Sequence, residues 1–192
     1  EVTPLPDPAA VCRDTIPQEV TVSRLVRFFV GRMNRAWRAE EVVFDQADYL
    51  AVNEAYGAHY PHRVLTVELA EAETAALVER CRREGVTVNS ALTAAFVGAS
   101  TAVQGKQPFH SSVAVAGSVR ERLVPPAGEG MGFYAALVRP RFGYDARRGF
   151  WQNAQRLHRA AQPLFTNKKL FGEQLLWCYL EPTLLEAINF KK

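Results

Sequence analysis

Apolar positions recur along this chain mostly at helical spacing. From Gln18 to Arg38, residues Val22, Leu25, Phe29, Met33, Ala36 and Trp37 fall on one face at about 100° per residue, which predicts an amphipathic helix. Arg24, Arg27, Arg35 and Arg38 gather on the opposite face. Glu71–Glu84 predicts a second helix, with Glu71 and Glu73 in its first turn, Arg80, Arg82 and Arg83 in its last, and Gly85 as its stop. That charge order suits the helix dipole. Thr87 is placed to cap a third helix running from Val88 to about Val103, because its hydroxyl can accept from a first-turn N–H. Ala91, Leu92, Ala94, Ala95, Phe96, Val97, Ala99 and Ala102 make that helix apolar nearly all round, so burial on most sides is expected. Gly149–Ala161, Lys169–Tyr179 and Pro182–Phe190 complete the helices.

Three stretches have strand composition: Val64–Leu69, Phe109–Val119 and Phe133–Phe142, the last two joined by a Pro/Gly loop from Arg120 to Gly132. The order is helix, strand, helix, helix, strand, strand, helix, helix, helix. It predicts an α/β (α+β) two-layer sandwich, a mixed sheet with flanking helices. Residues 1–17 carry Pro4, Pro6, Pro8 and Pro17 and read as an extended linker or strap ahead of one domain at 18–192. A chain that opens at Glu1 on such a strap is expected to have been joined to something before it.

Composition narrows the classes. The 192 residues are 48% hydrophobic and 22% charged, ordinary values for a globular protein. They exclude disorder, collagen-like repeats and a disulfide scaffold. A formal charge of +3 makes no case for a dedicated nucleic-acid binder. The basic helix face admits two readings. It could be a patch for phosphate, on a carrier's phosphopantetheine arm or on nucleic acid, or a solvated face opposite Glu40, Glu41, Asp45, Asp48 and Glu54. Cys12, Cys81 and Cys178 lie far apart without Cys-x-x-Cys spacing, and Cys81 and Cys178 read as buried small apolar residues. No secretory pattern appears, and no apolar run approaches the roughly 20 residues that span a bilayer. A cytoplasmic protein without a membrane partner is expected.

Motifs for chemistry are scarce. There is no Gly-x-Ser-x-Gly elbow around Ser90, Ser111, Ser112 or Ser118. His59 and His62 lie three apart, but Pro61 between them argues against one helical face, and they read as surface loop residues. Gly128-Glu-Gly130-Met-Gly132 lacks the spacing of a dinucleotide fingerprint.

One stretch is specific. Ser118-Val-Arg120-Glu-Arg122-Leu-Val-Pro125-Pro126, followed by Met131-Gly132-Phe133 at a strand start, resembles a hallmark of the coenzyme A-dependent acyltransferase superfamily. That superfamily includes chloramphenicol acetyltransferase, condensation domains, polyketide-associated acyltransferases and the BAHD transferases. Arg120, Arg122, Leu123, Pro125, Pro126 and Gly132 match the BAHD-type pattern, and Phe133 stands where Asn is usual. The run Leu77–Ala95 is similar to the family's passage of helix, Gly, Val/Ile-Thr and Ala-rich helix. The resemblance covers Val64–Phe142 best.

The resemblance implies one lobe of a chloramphenicol acetyltransferase-like fold, with a tunnel between two lobes. It implies transfer of an acyl group from a coenzyme A or phosphopantetheine thioester to an alcohol or amine, with no covalently bound cofactor and no metal. The family's general base lies in a His-His-x-x-x-Asp motif of the first lobe. Here the fourth residues after His59, His62, His110 and His158 are Arg63, Thr66, Ala114 and Gln162, so the motif is absent. This chain is therefore expected to be the second lobe, to end before the family's last strands and to be inactive alone. Its implied partners are an N-terminal lobe carrying that motif and an acyl-CoA or acyl carrier protein. The alternatives are a noncatalytic docking lobe or degenerate homologue and, more weakly, a nucleic-acid module using the basic helix at 18–38.

The tunnel wall would then draw on Thr87, Val88, Asn89, Ser90, Arg120, Arg122, Gly132 and Tyr134. Helix-start N–H groups at Val88 and Asn89 could favour a phosphate or a developing oxyanion, or Thr87 could simply cap its helix. Arg120 and Arg122 could form a salt bridge that shapes the tunnel or touch donor phosphate, or make a structural ion pair with Glu121, Glu129 or another acid further off in the sequence. Gly132 reads as a position of close backbone packing.

Overall fold

The computed structural model describes residues 10–60, 63–105 and 113–190. Its regular elements are α1 (Arg24–Arg38), α2 (Gln46–His59), α3 (Glu71–Arg83), α4 (Val88–Gln104), β1 (Val115–Ser118), β2 (Ala135–Val138), α5 (Phe150–Ala161), α6 (Asn167–Trp177) and α7 (Pro182–Phe190). The chain divides into two compact units, one of Glu1–Val20 with Leu69–Gln174, the other of Thr21–Glu68 with Leu175–Lys192.

In the first unit the turn between α3 and α4 is built as the sequence predicts. Gly85 adopts a φ of 65°, the left-handed region that stops a helix cheaply only at glycine. Thr87 Oγ1 then accepts from Ser90 N–H at 3.1 Å and opens α4, which leaves α3 at 97°. Small side chains on the inner face of α4, Ala91 and Ala94, let α5 approach with Ala154 and Leu157. Cys81, Val86 and Phe142 close this core. Burial pushes the Cys81 thiol up, as for a small apolar residue, whereas Cys178 is only partly buried.

The outer face of α4 corrects the expectation of all-round burial. Phe96 is 74% exposed, and Leu92, Ala95, Ala99, Ala102 and Val103 are exposed with it. Apolar composition fixes what a helix would bury, but burial needs a covering layer, and none is present there among the described residues.

β1 and β2 pair antiparallel, with Val115 opposite Val138 and Gly117 opposite Ala136. Val115, Ala136 and Val138 face the core, while Ala116, Ser118 and Leu137 face out. A Cβ on Gly117 would stand 2.5 Å from the Phe165 ring, so this glycine makes room for that side chain on the inner face. The α+β class holds. The sheet seen among the described residues is an antiparallel pair rather than a mixed sheet, and both strands are shorter than predicted. Residues 109–112 of the first predicted strand lie outside the described residues. Ile16 and Val20 are buried, and Val124 N–H donates to Thr15 O at 2.9 Å, so the end of the strap around Thr15 and Ile16 is tied down on this unit.

The turn before α5 rests on the buried side chain of Asn153. Its Nδ2 donates to the carbonyls of Asp145 and Gly149 at 3.0 and 3.2 Å, and its Oδ1 accepts from Asp145 N–H at 3.0 Å. On the rim of that turn, Asp145 is held below the usual carboxylate range, chiefly by bonds from the N–H and side chain of Arg147.

In the second unit α1 starts at Arg24, six residues later than the pattern predicts, because Ser23 caps it through Val26 N–H. It is fastened along one edge: Asn34 Nδ2 donates to Tyr179 O at 2.7 Å, Trp37 Nε1 to Thr183 Oγ1 at 2.9 Å, and Arg38 pairs with Glu181 at 2.6 Å. The acidic residues expected opposite the basic face are not the partners. Glu181, at the foot of α7, is. The sequence pattern misses α2 altogether, although Asp45 and Asp48 form a reciprocal capping box at its start. His59 ends this helix, and His62 lies outside the described residues.

The predicted strand Val64–Leu69 is corrected. These residues are irregular and exposed, Val64 and Val67 each at 86%. Alternation marks a strand only if a neighbour supplies the ladder bonds, and none does so here among the described residues. An exposed, β-branched, nearly uncharged run is an aggregation liability. Val67→Lys is therefore expected to lower turbidity on heating while leaving the unfolding midpoint unchanged. A fall in the midpoint would show that Val67 is packed.

Candidate functional site

The end of the β1–β2 pair forms a cavity of about 370 Å³ lined by residues 116–118, Arg120 and residues 132–135. Its geometry follows from how the chain leaves β1. Val119 N–H donates to Tyr134 O at 2.8 Å, keeping the pair in register past the last ladder residue. A short 3-10 turn, Arg120–Arg122, follows, and Leu123 anchors the loop in the core. Arg120 then reaches back across it. Its Nη1 donates to the carbonyls of Gly128 and Gly130, the latter at 2.8 Å, and its guanidinium lies 4.6 Å over the Tyr134 ring. A cation on an aromatic face is worth about 0.5–2 kcal/mol, the more so when desolvated.

These partners are not the neighbouring acids of the ion-pair reading. Neither Arg120 nor Arg122 meets Glu121 or Glu129 among the described ion pairs. Arg122 Nη1 donates instead to Asn167 Oδ1 at 2.9 Å. Arg120 is thus committed to holding the loop and the aromatic wall, and a guanidinium fits that work because one nitrogen, Nη1, can donate to two carbonyls while its plane stacks on a ring.

Gly132 and Tyr134 form the other wall. A Cβ on Gly132 would lie 2.8 Å from the Tyr134 hydroxyl and from the ring carbon bearing it, so the glycine is required by close approach. Tyr134 is 6% exposed, and its hydroxyl is buried without a hydrogen-bond partner. Leaving such a group unpaired costs about 1–3 kcal/mol. Tyr134→Phe is therefore expected to raise stability by about 1 kcal/mol, read as a higher urea midpoint at unchanged slope. A loss of stability would show that a bound water or ligand satisfies the hydroxyl. Phe133, where the resembled pattern has Asn, is exposed at the cavity rim.

Thr87, Val88, Asn89 and Ser90 do not line this cavity. They sit at the start of α4, where Thr87 acts as a cap and its Oγ1 lies 2.9 Å from Ser90 Oγ. Ser90 Oγ in turn lies 3.2 Å from His158 Nδ1 on α5. This Thr–Ser–His chain was not legible in the sequence, since Ser90 and His158 are 68 residues apart and neither carries a local motif. Ser90 is buried and bonded on both sides, so the chain fastens α4 to α5 rather than presenting an open nucleophile.

Other chemistry is thin. Among the described residues no group of three His, Cys, Asp or Glu side chains could hold a metal ion. Among the described residues no single helix is long and apolar enough to cross a membrane. The Cys12 thiol is lowered, first by the Thr15 hydroxyl, but it stands alone in a surface turn.

No curated protein and no solved structure matches the chain. Residues 60–138, less than half of the chain, match the family described as phthiocerol/phthiodiolone dimycocerosyl transferase C-terminus, so the stretch carrying α3, α4 and the whole cavity is similar to the C-terminal part of an acyltransferase.

Proposed function

We propose that this chain serves acyl transfer from a coenzyme A or carrier-protein thioester to an alcohol or amine, as the second lobe of a two-lobed enzyme. The observation that carries the reading is the coincidence of the family match with the Arg120–Pro126 and Gly132 motif, two of whose residues, Arg120 and Gly132, line one cavity. The name of the matched family speaks of mycocerosyl groups moved to phthiocerol or phthiodiolone. For this chain it supports an acyl donor and favours an alcohol acceptor.

In such a transfer the acceptor oxygen attacks the thioester carbon, a C–O bond forms and the C–S bond breaks. The acceptor's proton passes to a base and then to the leaving thiolate. The chain has no His-x-x-x-Asp to supply that base, so the base belongs to a partner lobe. The cavity wall, held by Arg120 and Tyr134, orients the donor and keeps water from the thioester. The Arg120 guanidinium balances developing charge from a distance, its near donors being committed to carbonyls.

Calorimetric titration tests the reading. Coenzyme A and an acyl-CoA are expected to bind saturably to the chain, and Gly132→Ala is expected to weaken that binding. Absence of thioester-related binding, together with DNA affinity that falls steeply with salt, would overturn it in favour of a nucleic-acid module.

A further inference from the structure

We propose that α1 is a docking helix for the surface of an anionic phospholipid bilayer. The inference is independent of the acyl-transfer reading and rests on how the helix is held. At 100° per residue, Val30, Asn34 and Trp37 share the edge that is fastened to the segment Tyr179–Thr183. Next round the wheel come Val26, Met33, Phe29, Ala36 and Leu25, and all five are exposed, Leu25 at 65%. This apolar arc covers about 100°, the width of a face that normally meets a core. Beyond it lie Arg32, Arg35 and Arg24, exposed and without an ion pair among the described residues. The helix carries five arginines and no acidic residue over its 15 positions. It is about 22 Å long, too short to span a membrane but long enough to lie along one.

Charge complementarity selects the occupant. A second copy would set Arg24, Arg32 and Arg35 at the edge of the arc against their own kind. Nucleic acid would satisfy the arginines but leave Leu25, Phe29 and Met33 in water. An anionic bilayer takes both: the arc enters the headgroup boundary while the arginines at its edge meet lipid phosphates. The exposed stripe on α4 has no such charged border, and so nothing there selects a partner. The sequence reading set membranes aside because no apolar run can span one, a test that an interfacial helix passes unnoticed.

Flotation of the full 192-residue chain with vesicles tests this. Vesicles of roughly one-third phosphatidylglycerol in phosphatidylcholine should capture it, and pure phosphatidylcholine should capture far less. Replacing Arg24, Arg32 and Arg35 together by Gln is expected to weaken binding on the order of 100-fold, about fivefold per arginine. Leu25→Asp with Phe29→Asp should abolish it. All five residues are exposed, so circular dichroism and the unfolding midpoint should be unchanged, and both sets must agree. No binding to anionic vesicles, or binding that survives either substitution, overturns the proposal. So does a dimer that only the Leu25/Phe29 pair disrupts, and so does duplex DNA binding that depends on the arginines but ignores that pair.

Discussion

Replacing Asn153 by leucine is expected to cost about 2 kcal/mol of folding free energy, although the two side chains are close in size. Asn153 is fully buried, and its amide is a small hub. It satisfies the N–H and the carbonyl of Asp145 and the carbonyl of Gly149, closing the turn that leads into α5. Leucine would leave the Asp145 N–H without its partner, at about 1–3 kcal/mol, and would strip one bond from each carbonyl, which Arg148 N–H and Asn153 N–H would still reach at 3.0 and 3.1 Å. The loss would spread, because Ala154 and Leu157 pack α5 against α4, and His158 meets Ser90 from the same helix. Urea unfolding monitored by tryptophan fluorescence measures the effect. Arg156→Ala is the comparator: Arg156 also donates to Asn153 Oδ1, at 3.1 Å, but from an exposed side chain, and should cost under about 0.5 kcal/mol. Equal losses in the two variants would show that the bond to the exposed arginine, and not the backbone hub, carries the stability.

What the sequence disclosed depends on whether the information was local. The cap at Thr87, the glycine stop at Gly85 and the bounds of α7 are fixed by residues within one turn, and they are where the pattern puts them. α2 escaped for the complementary reason. It has no buried residue, so its apolar positions form no stripe, and its only sign was an Asp–Asp capping box. Val64–Leu69 failed as a strand because pairing is a property of two segments and the alternation of one cannot supply it. The exposed faces of α1 and α4 fail in the same way: amphipathic spacing shows that a helix wants a partner without showing that this chain contains it.

The candidate site divides along the same line. The Arg120–Pro126 run and Gly132 were singled out by their resemblance to an acyltransferase pattern, and the structure does bring Arg120, Gly132 and Tyr134 to one cavity. Their partners were not legible. An arginine in a sequence suggests a carboxylate, yet Arg120 spends its donors on two carbonyls and its face on a ring, and neither kind of partner leaves a mark on residue type. Thr87–Ser90, read as part of the same wall, answers instead to His158 on another helix.

Gly132→Ala is expected to be a damaging single-methyl change in the site. The new Cβ would lie 2.8–2.9 Å from the Tyr134 hydroxyl and ring, a distance real Cβ atoms do not hold. Tyr134 cannot swing aside without cost, since it is buried and carries Arg120 on its face. Overpacking of this kind costs about 1–3 kcal/mol. Displacing the ring would also disturb the arginine that holds the loop at Gly128 and Gly130. The argument has a sharper consequence in a double-mutant cycle. One of the close contacts is to the hydroxyl, which has no partner, so Tyr134→Phe should recover part of the loss, with a coupling of about 0.5–1 kcal/mol. Simple additivity would show that the alanine is accommodated by backbone movement and not by the tyrosine. Coenzyme A titration of the same four proteins separates packing from function. If the cavity binds the thioester donor, affinity should fall with Gly132→Ala and return in the double variant, while Tyr134→Phe alone leaves it near its original value.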